Sequence, residues 1–253
     1  MSFLTSAFNL ILYQPLFNAL LLLYQYLPGH DFGIAVILLT VLIRLILYPL
    51  MFQSIRAQKV LSELQPKVQE IQQKFKDDKQ RQTKETMALY QREKINPFGG
   101  CLPLLIQLPI LIALYQVFWK GLQMGELSKL YSFVPRPEMI NPTFLGILNL
   151  DKPSLVLAVL AGILQFVQTK MVTPKTPKNK NQTSQFSEMM QKQMLYFFPI
   201  FTVFILWRLP AAIGIYWVVT TLFSIAQQYL IYKKPREGNP QSPTGQTSYA
   251  QSR

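Results

Sequence analysis

The chain has 253 residues, half of them hydrophobic and 15% charged, with a formal charge of +13. Soluble domains carry about 25% charged residues, so this composition excludes an ordinary soluble fold. The basic balance alone would suggest nucleic acid, but most Lys and Arg sit in blocks beside apolar runs, which is the footprint of membrane topology. Cys101 is the single cysteine, which excludes an internal disulfide framework; in its apolar run it reads as a small buried side chain. One histidine, His30, and the lack of a His/Cys cluster leave no metal site to expect, and no cofactor. No basic n-region with a cleavage pattern opens the chain, so no cleavable signal is expected, and no internal repeat of fixed period is visible.

Residues 1–30 are apolar but interrupted by Asn9, Gln14, Pro15, Asn18 and Gln25. Leu10, Tyr13, Phe17, Leu20, Tyr24 and Leu27 recur at steps of three and four, which predicts an amphipathic helix. With no Lys or Arg to fix one end, it reads as lying in the membrane interface, a first transmembrane span being the competing reading. Pro28-Gly29 ends it. The first span is expected at 31–52, with Arg44 inside the run IAVILLTVLIRLILYP and Pro49 near its end. Residues 53–96 form a polar block of ten Lys/Arg and six Asp/Glu, in which Leu61, Leu64, Val68, Ile71 and Phe75 repeat at three and four. Asp77-Asp78 marks a turn, and Met87 and Tyr90 resume the pattern, which predicts a helical hairpin with a thin apolar seam. Pro66 starts or kinks a helix there. Such ordered periodicity exceeds what a solvated spacer needs, so a docking arm is the favoured reading. Its docking residues are taken as Pro66, Lys67, Phe75, Asp78 and Tyr90.

A second span is expected at 97–119, with Gly99-Gly100, Pro103, Gln107 and Pro109. Two prolines and a glutamine suggest a helix packed against others, with Gln107 facing a polar interior. Residues 120–153 carry several prolines and read as a loop with short helical pieces. A third span follows at 154–172, with Gln165 and Gln168, then a basic polar loop at 173–192. The fourth span, 193–209, is short, so its helix is expected to begin nearer Phe186. The fifth is 211–232, and 233–253 reads as a disordered polar tail. The segments 53–96, 170–192 and 233–253 hold nineteen Lys/Arg, whereas 1–31, 120–153 and Arg208 hold five. The positive-inside rule then places the first group in the cytoplasm, with the N-terminus outside and the C-terminus inside.

Arg44 is the anomaly in this pattern. A guanidinium near mid-membrane costs roughly 2.5–3.5 kcal/mol on insertion scales. No carboxylate falls within a span: Asp31 and Asp151 sit at span ends and the other acids lie in loops. An internal salt bridge is therefore disfavoured, and Arg44 reads as a functional charge in a polar recess. Gln107, Thr202, Tyr216 and Thr220 are candidate polar lining from their positions in spans. Tyr216 and the adjacent Trp217 must face different ways on a helix; one faces the recess and the other a lipid-side path, or the pair forms an aromatic belt. For Gln107 a plain interhelical hydrogen bond is the equal alternative.

Five stretches, in order and spacing, resemble the YidC/Oxa/Alb family of membrane-protein insertases: GIAVILLTVLIRLILYPL, LQPKVQEIQQKFKDD, MALYQREKINP, NPFGGCLPLLIQLPILIALY and LPAAIGIYWVVTTLFSIAQQYLI. The resemblance covers roughly residues 10–234. It implies an all-α polytopic membrane protein in which five transmembrane helices enclose a hydrophilic groove open to the cytoplasm and to lipid. An external interfacial helix and a cytoplasmic helical hairpin complete that expected fold. It implies that Arg44 lies in the groove, and that apolar client segments slide into the bilayer past the spans 154–172 and 211–232. It also implies the compact bacterial inner-membrane form, without a large periplasmic domain and here without a lipoprotein signal. The expected partners are nascent membrane proteins, the ribosome and the lipid bilayer, with the Sec translocon as an open alternative. Ribosome contact is expected through the hairpin and the loop 173–192, and no sequence-specific nucleic-acid binding is expected.

No catalytic set is present: no membrane acid pair, no Ser/His arrangement and no P-loop. The chain is expected not to be an enzyme, with insertion driven by partitioning of the apolar client and by the membrane potential. The alternative is a small-anion transporter or channel using Arg44, although such transporters usually show repeats. A rhomboid-like protease is a third reading that lacks its Ser/His pair.

Overall fold

The computed structural model describes residues 3–96, 99, 102–120, 124–137, 139–173 and 182–233. Gly100, Cys101, the middle of the basic loop and the tail beyond Lys233, all discussed above, lie outside the described residues.

Among the described residues the chain is helical apart from one antiparallel pair of two-residue strands, β1 (Thr143–Phe144) and β2 (Leu148–Asn149). The N-terminal segment runs as α1 (Phe3–Phe8), a π-helical turn at Asn9–Tyr13, and α2 (Gln14–Tyr26). It stops where Gly29 and His30 both adopt positive φ, the left-handed conformation that breaks a helix. Asp31 then caps α3 (Phe32–Ile46), its Oδ1 accepting from the Ile34 amide at 2.9 Å.

The expected single span over 31–52 is instead two helices. α3 ends at Ile46, and α4 (Tyr48–Lys74) leaves it at 67°. Pro49 is the reason: it lacks an amide hydrogen and its ring collides with the preceding turn, so it sits in the first turn of a new helix. α4 carries Pro66 in its interior and ends at Phe75. Asp78 caps α5 (Lys79–Arg92), accepting from the Arg81 amide at 2.9 Å.

α6 (Leu102–Lys120) follows, then a 3-10 turn at Met124–Lys129 and the small β hairpin. The strand pair was not foreseen, because two residues are too few to show an alternating pattern. α7 (Leu155–Val172), α8 (Gln182–Leu206) and α9 (Ala211–Lys233) complete the fold. α8 therefore begins well inside the stretch read as a polar loop.

The core gathers at one end of the bundle. Tyr13, Phe17, Leu20, Leu21 and Tyr24 of the N-terminal segment meet Phe32, Ala35, Val36 and Leu39 of α3, Leu114, Val117 and Phe118 of α6, and Ala211–Tyr216 of α9. The first turn of α9 is held there by its amides: Ala211 donates to the Lys152 carbonyl (3.0 Å) and Ala212 to that of Leu150 (3.2 Å). Elsewhere the helices turn large apolar side chains outward, among them Leu105, Leu108 and Ile112 of α6, Val156 and Ile163 of α7, and Ile200 and Phe204 of α8. Such faces would be a liability in water, but hydrocarbon solvates them. By length and composition Thr5–Tyr26, Leu155–Val172 and Ala211–Lys233 can each cross a bilayer, and the bent pair α3–α4 passes as a fourth. The chain is a multi-pass membrane protein.

Among the described residues α7 and α8 share the most extensive contact, and Gly162 lets them approach closely. A Cβ there would collide with the Val203 side chain and stand 3.2 Å from the Pro199 carbonyl. Val203 is β-branched and stiff, so it cannot turn aside. Gly162→Ala is expected to destabilise the protein by about 1–3 kcal/mol, read as a lower thermal midpoint in detergent. An unchanged midpoint would mean that the two helices do not seat on each other here.

Candidate functional site

α3 and α6 run antiparallel and match at two levels. At one, the rings of Phe32 and Phe118 meet edge-to-face with centroids 6.3 Å apart. Twelve residues of α3 lead from Phe32 to Arg44, and eleven of α6 lead back from Phe118 to Gln107. At 1.5 Å per residue these are about 18 and 16 Å, so Arg44 and Gln107 reach the same level along the bundle. The Arg44 guanidinium donates to Gln107 Oε1 at 2.9 Å, and Gln107 Nε2 donates to the hydroxyl of Tyr216 on α9. Arg44 is 6% exposed and Tyr216 is 1% exposed. Arg44 also occupies the last turn of α3, where a cation is favoured by the helix dipole.

Three of the expected recess residues, Arg44, Gln107 and Tyr216, thus form one hydrogen-bonded chain across three helices. No carboxylate among the described residues pairs with Arg44; the ion pairs Lys67–Glu93 and Lys129–Glu126 lie elsewhere. Trp217 turns away from this chain, as neighbours on a helix must. Its indole N–H donates to Gln165 Oε1 on α7 at 3.3 Å. Thr220 is half-buried one turn beyond Tyr216. Thr202 is buried on α8, which packs mainly on α7 rather than on α3. Gln165 was noted only as a polar residue of its span; its spacing alone could not tell which helix it would reach.

The five residues assigned to the hairpin have partners or places within it. Lys67 pairs with Glu93 at 3.5 Å, and that carboxylate is 3% exposed. The Phe75 ring lies under the Arg81 guanidinium at 4.8 Å. Asp78 is the cap of α5, Pro66 lies inside α4, and burial pushes the Tyr90 phenol pKa up. Gln82 Nε2 also bridges the arms to the Gln72 carbonyl at 2.9 Å. Lys59, which sequence reasoning passed over, ties α4 to the end of α9 by donating to the Ile231 carbonyl at 3.1 Å. A lysine over a C-terminal carbonyl is a favourable helix-end contact, but nothing in the sequence says which helix end is near.

Two measurements check this arrangement. Tyr216→Phe deletes the oxygen that accepts from Gln107 and leaves a buried amide N–H unpaired, at an expected cost of about 1–3 kcal/mol. The thermal midpoint in detergent should fall accordingly, and no change would remove Tyr216 from the chain. Asp78→Ala should cost about 1 kcal/mol locally, seen as faster amide hydrogen exchange at the start of α5 and not in α3. Equal protection in both proteins would show that the cap is not formed.

The family model described as 60Kd inner membrane protein matches residues 22–238. A membrane protein insertase YidC of Fusobacterium nucleatum subsp. nucleatum is 37% identical over 204 residues, which is 81% of this chain and 87% of the relative. The one of Clostridium tetani is 38% identical over 206 residues, 81% of this chain and 84% of the relative. That of Syntrophus aciditrophicus is 34% identical over 223 residues, 87% of this chain but 36% of a much longer relative. The relation extends through the helices that carry Arg44, Gln107 and Tyr216: the chain belongs to the 60Kd inner membrane protein family, the family of the YidC membrane protein insertases.

Proposed function

We propose that this protein inserts membrane proteins by receiving the polar part of a client against Arg44 while the client's apolar segment passes sideways into lipid. The observation that carries the reading is a guanidinium buried among apolar helices with an uncharged hydrogen-bond partner. A polar segment crossing about 30 Å of hydrocarbon leaves backbone groups unsatisfied at several kcal/mol each. A recess reaching Arg44 from the side opposite the Phe32–Phe118 level shortens that dry path, and its charge attracts acidic residues of the client's leading tail. Thr220, one turn beyond Tyr216, extends the polar lining, and apolar segments leave along the spans 154–172 and 211–232, where Trp217 and Gln165 meet.

In this reading five spans surround the recess: α3, α6, α7, α8 and α9. The hairpin α4–α5, with the basic loop and the C-terminus, faces the cytoplasm, following the bias of nineteen Lys/Arg against five. The hairpin is the docking arm for the ribosome, and the Sec translocon is a second candidate partner. The N-terminal segment lies in the opposite interface. Its support is a row of side-chain contacts to one loop: Tyr13 to Glu126 (2.6 Å), Asn18 to the Tyr131 amide (2.6 Å) and Tyr24 to the Asn141 amide (3.0 Å). A helix that touches the same loop along its length lies beside that loop rather than crossing away from it. Partitioning of the client and the membrane potential supply the energy, with no covalent step. The anion-transporter reading is not favoured, since the relatives are insertases.

The test uses purified protein in liposomes and a single-span client whose translocated tail carries two acidic residues. Arg44→Ala should slow insertion about tenfold, equivalent to 1.4 kcal/mol of lost attraction, and Arg44→Lys should retain most of the rate because the charge is kept. Wild-type insertion by Arg44→Ala would defeat the electrostatic role, and anion flux without client insertion would favour a transporter.

A further inference from the structure

The chain Arg44–Gln107–Tyr216 has a fixed direction. A guanidinium can only donate, so the Gln107 atom 2.9 Å from it must be the carbonyl oxygen. The amide nitrogen is thereby turned to Tyr216, and it too can only donate, so the Tyr216 oxygen accepts. The proton of the Tyr216 hydroxyl must then point away from Gln107. At one end of the chain the remaining guanidinium N–H groups are left to donate, while at the other the phenolic O–H belongs to a side chain that is buried beside Thr220. Gln107 joins these ends without cancelling the charge. A carboxylate at the same position would accept from Arg44 equally well and would neutralise it.

We propose that Gln107 sets the charge preference for clients: as a neutral acceptor it holds the Arg44 guanidinium in place without cancelling its charge, which suits a client carboxylate and disfavours a client ammonium. This rests on the reading of Arg44 as the client-facing charge. Gln107 is then a specificity-determining residue. Replacing it by Glu supplies internally the counter-ion that the client would otherwise bring, while keeping length and branching.

The experiment compares two clients in the liposome assay, identical except for two Asp or two Lys in the translocated tail, and reads the ratio of their insertion rates. The ratio corrects for any general loss of activity. Gln107→Glu should lower the Asp/Lys ratio about tenfold relative to wild type, the factor expected when an attractive charge is neutralised. Gln107→Leu, which removes the acceptor but leaves the charge, should not shift the ratio toward Lys. The thermal midpoint of Gln107→Glu in detergent should lie above that of Gln107→Leu, because only Glu can accept from Arg44. A wild-type ratio in Gln107→Glu overturns the proposal, since any polar residue would then serve. A ratio lowered equally by Glu and Leu also overturns it, since loss of the amide would then be the cause. Arg44→Ala in the same assay separates the two levels: if its ratio matches wild type, the client-facing role of Arg44 has failed, and the role of Gln107 with it.

Discussion

A guanidinium buried in the last turn of an apolar helix is the constraint around which this bundle is arranged. Among the described residues it is satisfied without a carboxylate. Three helices meet that demand together. α3 brings the charge in its last turn, α6 brings a neutral acceptor, and α9 brings a phenol that accepts from the amide. The antiparallel match of α3 with α6, set where Phe32 and Phe118 meet, makes the depths coincide. A shift of one helix by a single turn, about 5.4 Å, would separate the guanidinium from its acceptor and leave both unpaired.

The apolar core has a complementary role. It is concentrated at the end where the N-terminal segment, the loop 124–152 and the start of α9 converge, and it thins towards Arg44. Polar side chains reinforce that end: Asn18, buried at 2% exposure, accepts from the Tyr131 amide and donates to the Gln14 and Lys129 carbonyls. Asp31 caps α3 and accepts from the Leu145 amide in the turn of the β hairpin. One end of the bundle is thus packed and cross-linked, while the other meets the α4–α5 hairpin at the 67° joint, through the buried Met51 and Ile55 and the hydrogen bonds of Ser54 and Lys59. Under the proposed orientation the packed end is the barrier and the end at the joint is the entrance.

Much of this was legible in the sequence because membrane helices leave strong signals. Arg44 stood out as a lone charge in an apolar run, and Gln107 and Tyr216 as polar residues in others. Asp78 was visible beside a turn. What the sequence concealed was contact between distant segments. Nothing in spacing could pair Trp217 with Gln165, place Lys59 under the end of α9, or bury Glu93 against Lys67. Pro49 was visible but misjudged: a proline near the end of a span was read as tolerated within it, whereas its missing amide hydrogen ends one helix and begins another. α8 begins at Gln182, four residues before the start expected near Phe186; its first turn is polar and carries no apolar repeat.

The joint at Leu47 closes α3 and opens α4, and it lies three residues from Arg44. α4 extends from it for 27 residues with Pro66 in its interior, about 40 Å of helix. A tilt of about 10° at the joint carries the far tip through roughly 7 Å, while the guanidinium, close to the pivot, moves by a small fraction of that. α4 is therefore a long lever with its fulcrum beside the charge. Under the proposed orientation, a wide swing of the far tip would move the residues that position Arg44 only slightly.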